Sequence, residues 1–165
     1  MEFKKANGYN INITVYHGSN RLIDKPDLSH SRPRLDFGSG FYVSSNKAQV
    51  INYIRKYGAN AIVSKYDLDL SDSNLNIKTF DDNTDEWIDF VIANRHNNLP
   101  TDYDIVYGPI ADDKVASAIK LFESNRINRA SLKELLKFAN KEYQQYCLRT
   151  EKALMHLKFI GEGLL

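Results

Sequence analysis

Residues 11–17, "INITVYH", alternate apolar and polar positions and are rich in β-branched types, the pattern of a half-buried strand. The alternation then stops. Residues 22–40, "LIDKPDLSHSRPRLDFGSG", contain two prolines, two glycines and several turn formers and read as a long loop. A loop of that length in a compact domain is usually functional or mobile. "GFYVSS" (40–45) restores a short strand. A helical period follows in "KAQVINYIRKY" (47–57), where Ala48, Ile51, Tyr53 and Ile54 approximate an apolar face. Asn46 supplies an N-cap and Gly58 a stop.

Residues 61–68 and the shorter 75–80 read as strands, and 84–96 as a helix whose acidic first turn suits the helix dipole. A strand over 103–108 ends at Gly108-Pro109. Helices are expected over 112–124 and 131–143. "YCLRT" (146–150), a short helix over 151–157 and a last strand over 158–165 close the chain. Strands and helices do not alternate regularly, which argues against a doubly wound parallel sheet. The expectation is an α+β fold, one domain over 1–165, with a mixed, mainly antiparallel sheet and flanking helices.

Composition narrows the function classes. The chain has 165 residues, enough for one buried core, and 42% hydrophobic with 26% charged residues is ordinary for a globular domain. A net charge of +1 gives no footprint for non-specific nucleic-acid binding. The single cysteine, Cys147, excludes an internal disulfide framework and a thiolate zinc cluster and suits a reducing compartment. Residues 1–10 lack the apolar core of a signal peptide, and no apolar run is long enough to span a bilayer. A cytoplasmic protein without membrane partners is expected.

Two turns carry the candidate chemistry. His17 ends the first strand and is followed by Gly18 and Ser19; Gly18 lets another group approach the backbone closely. The alternative is a corner with a histidine fixing the loop. Gly38 and Gly40 flank Ser39 before Phe41 and Tyr42, but no phosphate-binding loop of the G-x-x-x-x-G-K kind is present. Tyr42 and Tyr53, eleven residues apart on a strand and the following helix, either face one cleft or pack in the core.

"YHGS", followed by "GSGFYVSSNKAQVINY", is similar to the first two signature blocks of the diphtheria-toxin-like and poly(ADP-ribose)-polymerase-like ADP-ribosyltransferases. Those enzymes show a histidine-glycine pair at a strand end, then a glycine-x-glycine-aromatic-tyrosine strand, then a helix with a second tyrosine at the same spacing. The fuller string "VYHGS…KPDL…SR…DFGSGFYVSS…Q…Y" also resembles a bacterial family of unknown function assigned to that superfamily. The resemblance implies a split sheet and a binding site for NAD as co-substrate, with no metal. His17 would bond a ribose hydroxyl and the Gly18 backbone would hold the nicotinamide amide. Tyr42 and Tyr53 would line the nicotinamide pocket, with Ser19 and Gly40 beside them. Arg32 and Arg34 are candidates for the diphosphate because guanidinium pairs with phosphate oxygens bidentately; the alternative is two solvated surface arginines.

A third block departs from the pattern. Where the family often has a glutamate on a late strand, this chain has Gln145. Loss of that charge costs roughly 2–4 kcal/mol of transition-state stabilisation in a dry site. Members of the superfamily with other residues there are generally limited to single transfers or are inactive, so the resemblance implies no chain formation. Asp112, Asp113 and Glu151 are alternative carboxylates, each with a competing role at a helix start; Arg95, at a helix end, reads as a dipole partner.

The resulting expectation is an NAD-dependent mono-ADP-ribosyltransferase with His17, Tyr42 and Gln145 as catalytic residues. It would act on a protein or nucleic-acid acceptor, as a bacterial toxin with an antitoxin protein as partner. The competing expectation is a catalytically silent module that binds NAD, ADP-ribose or a protein through the same cleft. A His17–Ser19 hydrolase is disfavoured because sequence neighbours rarely provide nucleophile-and-base geometry. No two of His17, His30, His96 and His156 have zinc-ligand spacing.

Overall fold

In the computed structural model, which describes residues 11–82, 84–97, 102–137 and 142–163, two sheets form around the strands read above. The expectations for residues 1–10, for 138–141 of the fourth helix and for 164–165 of the last strand lie outside the described residues.

The first sheet contains β1 (Asn12–Ser19), β3 (Ile62–Asp69) and β7 (Leu157–Glu162), in the order β1-β3-β7 and antiparallel throughout. The second contains β2 (Phe41–Val43), β4 (Ile77–Thr79), β5 (Ile105–Pro109) and β6 (Gln144–Leu148), in the order β2-β6-β5-β4. Among the described residues only β4 with β5 is parallel. The helices are α1 (Lys47–Ile54), α2 (Asp85–Asn97), α3 (Asp113–Glu123), α4 (Arg129–Leu136) and α5 (Glu151–Leu154), and a 3-10 turn at Arg55–Asn60 extends α1. The α+β architecture with mainly antiparallel pairing is as expected.

Local signals explain the helix bounds. The Asn46 side chain accepts from the Gln49 amide at 3.1 Å, and Asn128 and Thr150 cap α4 and α5 in the same way. The α4 cap lies three residues before the expected start at Ser131, because Asn128 offers the first side-chain acceptor ahead of the apolar run.

Each face of the second sheet has its own core. Val15, Phe41, Val43, Tyr66, Ile105, Tyr146 and Leu148 join the two sheets on one side. Phe37, Phe80, Trp87, Val106, Ile119 and Cys147 pack α2, α3 and α4 on the other. A third cluster, Val50, Ile54, Ala61 and Val63, seats α1 against the first sheet. Strand alternation therefore sends Phe41 and Val43 to one core and Tyr42 to the other.

Candidate functional site

The two sheets meet at an isolated bridge between β1 and Ser44, the residue after β2. There Tyr16 and Ser44 exchange backbone hydrogen bonds of 2.8 and 3.0 Å. If this antiparallel ladder continued, Gly18 would pair with Tyr42. It does not. The Nδ1 of His17 occupies that place and donates to the Tyr42 carbonyl at 2.7 Å. The His17 ring stacks on Phe41, with centroids 4.3 Å apart.

The strand register shows what this frees. Gly18 faces Val63, whose carbonyl accepts from Gly163 on the far side of β3. Gly18 and Val63 are thus a non-hydrogen-bonded pair, and the N–H and C=O of Gly18 point away from β3 into the opening. The opening is a cleft of about 840 Å³, walled by the end of β1, by β2, by α1 and by the loop between Asn20 and Gly40.

His17 is a neutral ring. A carbonyl can only accept, so Nδ1 carries the proton and Nε2 is an acceptor. Burial lowers the pKa of His17 below its ordinary value, outweighing the opposing effect of the Tyr42 carbonyl.

Gly18 turns out to be needed for packing as well as for approach. A Cβ built there would lie 2.2 Å from Ile54 Cγ2 and 2.9 Å from Val50 Cγ1, so its absence lets α1 lie close to β1. At Gly40 a Cβ would lie 2.4 Å from Cys147 Sγ and 2.7 Å from the Leu148 carbonyl oxygen. Both glycines also line the cleft.

The remaining expected residues divide. Ser19, Arg32, Tyr53 and Gln145 line the cleft. Tyr53 is 57% exposed at the mouth of α1, with Lys56 Nζ 3.9 Å from its ring centroid. Ser19 Oγ donates to the Arg21 carbonyl and holds the turn that leaves β1. Tyr42 also borders the cleft, but its ring packs against the helical core. Its hydroxyl donates to the Gly38 carbonyl at 2.6 Å and accepts from the Phe37 amide at 3.1 Å. Burial raises its pKa well above the ordinary value, so it stays a protonated tie for the glycine turn.

Arg34 is not among the residues lining the cleft; it has φ of 61°, in the turn that returns Leu35 and Asp36 to the wall, and Arg21 lines the cleft with Arg32. The three alternative carboxylates take the helix-start roles weighed for them. Asp112 caps α3, accepting from the Val115 amide at 2.9 Å; Asp113 and Glu151 open helices; none lines the cleft.

Asp24, Asp27 and Asp36 line the cleft, and the buried one is Asp36, which the sequence reading passed over. Its Oδ1 accepts from Arg95 Nε and Nη2 at 2.9 and 2.7 Å, and its Oδ2 accepts from the Ala111 amide at 2.9 Å. Gln145 Nε2 donates to the same Oδ2 at 3.3 Å. Arg95 lies in the last turn of α2, as expected of a dipole partner, and is also the partner of a nearly buried acid. Gln49, 7% exposed, was also missed: its Nε2 donates to the Gln144 carbonyl at 3.1 Å and it lines the cleft. No group of side chains that could hold a metal is present among the described residues.

The fold and site define an α+β protein whose ligand-sized cleft opens where two sheets part, with backbone and side-chain hydrogen-bonding groups at its apex. Residues 13–159 match the family described as "Protein of unknown function (DUF3990)", and the chain belongs to that family. No curated protein and no solved structure matches it.

Proposed function

We propose that this protein is an NAD-dependent mono-ADP-ribosyltransferase that transfers ADP-ribose to a macromolecular acceptor and releases nicotinamide. The observation that carries the reading is the apex of the cleft. There the Gly18 N–H and C=O, with no strand opposite them, and the His17 ring, whose Nδ1 is held by Tyr42, line one opening. A paired donor and acceptor complements a carboxamide, and an acceptor nitrogen complements a ribose hydroxyl.

In this reading the Gly18 backbone holds the nicotinamide amide, and His17 Nε2 and Gln145 accept from the ribose hydroxyls. Tyr53 covers the nicotinamide ring at the mouth, and Arg32 with Arg21 meets the diphosphate. The glycosidic C–N bond breaks with its electron pair leaving on the nicotinamide nitrogen, while positive charge builds on the ribose. The acceptor's nucleophilic atom then bonds the anomeric carbon and loses its proton. Oriented hydrogen bonds on the sugar supply the catalysis, without a metal. The net charge of +1 favours a protein acceptor over nucleic acid. Toxin action in the cytoplasm, held by an antitoxin protein, is the setting that the family resemblance implies. No helix among the described residues is long and apolar enough to cross a membrane.

A second reading, a silent NAD-binding module, is favoured by one observation. The carboxylate buried in the wall, Asp36, already meets Arg95, Ala111 and Gln145, so its charge is compensated.

Mass spectrometry of the protein incubated with isotopically labelled NAD and a cell lysate separates the two. Label on one macromolecule, lost with His17→Ala, is the result expected of a transferase. Binding of NAD by calorimetry without label supports the silent module, and no NAD binding removes both readings.

A further inference from the structure

We infer that Asp36 is a positioning residue that decides which end of the Gln145 amide faces the ligand. A glutamine amide is nearly symmetric in shape, and turning it over exchanges a donor for an acceptor. A carboxylate has only acceptors to offer, so Asp36 selects the orientation with Nε2 toward itself and leaves Oε1 to the cleft. Asp36 has no freedom to turn. Arg95 grips Oδ1 twice, the Ala111 amide holds Oδ2, and Asp36 and Gln145 are each 9% exposed. Among the described residues, Oε1 of Gln145 has no protein donor.

The consequence concerns why a glutamine stands at 145. A glutamate there would bring a second carboxylate to about the 3.3 Å now separating Gln145 Nε2 from Asp36. Two carboxylates so close cannot both ionise. The chain keeps the charge on Asp36 and presents a neutral acceptor to the cleft. A simple exchange of Gln145 for glutamate therefore does not restore a charged catalytic group.

The inference rests on the NAD reading only for the identity of the ligand. Its test uses the full chain as wild type, Asp36→Asn, Gln145→Glu and the double variant. In Asp36→Asn the asparagine keeps an acceptor for Arg95 and puts an NH2 where Oδ2 was, with loss of the bond from the Ala111 amide. Gln145 then turns Oε1 toward it, and the cleft meets a donor. The side-chain NH2 resonances of Gln145, assigned by their loss in Gln145→Ala, should shift and exchange faster in Asp36→Asn. NAD affinity by calorimetry should fall roughly tenfold or more in each single variant. It should recover most of that loss in the double variant, where the introduced carboxylate accepts from the asparagine and offers its other oxygen to the cleft.

Melting of Gln145→Glu, alone and with Asp36→Asn, provides a readout that needs no ligand. A neighbouring negative charge raises the new group's folded pKa above its unfolded value, so its contribution to stability is lost as pH rises through the folded pKa. Its melting temperature relative to wild type should therefore drop between about pH 5 and pH 8. Desolvation at this buried position also raises the pKa of a glutamate, so the drop attributable to Asp36 is the part that disappears in the double variant; a role limited to packing would give neither that reduction nor recovery of affinity. Unchanged Gln145 resonances in Asp36→Asn, or a Gln145→Glu melting profile parallel to wild type, overturns the inference. If wild type does not bind NAD, the NAD reading fails, and the resonances and the melting profile still decide the role of Asp36.

Discussion

Replacing Gly18 by alanine separates two roles that one glycine serves, packing and ligand approach. The backbone of Gly18 lies outside the left-handed region, so alanine adopts it without strain. Lower chain entropy in the unfolded state would then stabilise the protein by about 0.4–1 kcal/mol. Packing opposes this. The new Cβ would lie 2.2 Å from Ile54 Cγ2, on a β-branched side chain with no solvent exposure, and 2.9 Å from Val50 Cγ1. Forcing one carbon into such a core costs about 1–3 kcal/mol. The clash wins, for a net loss of about 1–2 kcal/mol. At about 2–4 °C per kcal/mol for a domain of this size, the melting temperature should fall by about 2–8 °C. Calorimetric melting of Gly18→Ala, Ile54→Ala and the double variant forms a mutant cycle. Because Ile54→Ala removes Cγ2, the alanine at 18 should cost less in that background, with a coupling of at least about 0.5 kcal/mol. A melting temperature that is unchanged or raised, or losses that simply add, would refute the packing role.

Gly40→Ala should destabilise more than Gly18→Ala in urea titration, because one clash is with the Leu148 carbonyl, which a paired strand cannot move aside; an equal or smaller loss would sink the comparison. Cys147 is buried, and desolvation pushes its thiol up to about 12, so a thiol reagent at pH 8 should modify it only as fast as the protein opens. Rapid labelling of the folded protein would contradict this. Because burial depresses the folded pKa of His17 below 6.5, the unfolded chain takes up the proton first as pH falls. Stability should be full above pH 6.5 and decline below it toward the folded pKa, and His17→Gln should flatten that part of the pH profile in urea titrations. A wild-type profile with no extra slope there would argue that the ring is not buried neutral.

Local rules made most of the elements legible in the sequence. The Asn46 cap, the acid-led α2 and the alternation of β1 each depend on residues a few positions apart. The site was legible to the extent that it follows a strand end. His17, Gly18, Tyr53, Arg32 and Gln145 do line one cleft. What could not be read is whatever depends on pairing between distant segments. Asp36 sits among turn formers, and only the folded chain brings it to Arg95 and Gln145. Its signal was present in the quoted "DFGSGFYVSS", as a carboxylate heading a glycine turn that ends in a strand. The spacing of Tyr42 leaves cleft and core equally open; strand alternation turns its ring to the helical core, where its hydroxyl ties Gly38 and Phe37. Gly18 was read as room for a ligand, while the helix packed on it is visible only in three dimensions.

The position of His17 complicates the most obvious mutant. Its ring holds the Tyr42 carbonyl at the point where the Gly18 amide would otherwise complete the ladder begun by Tyr16 and Ser44. His17→Ala removes the ligand acceptor, and it also removes the wedge. Backbone groups left unpaired in an opening gain by pairing with each other, and the Gly18 N–H and the Tyr42 carbonyl are in register to do so. The prediction is that His17→Ala zips one further rung and narrows the cleft. Hydrogen exchange reads this directly: the Gly18 amide should exchange quickly in wild type and become protected in the variant, at least tenfold if the new bond contributes about 1.4 kcal/mol. His17→Gln, which keeps a side-chain donor within reach of Tyr42, should leave Gly18 unprotected. If Gly18 exchanges equally fast in all three, the cleft does not depend on the wedge, and a loss of binding in His17→Ala reports the missing Nε2 alone.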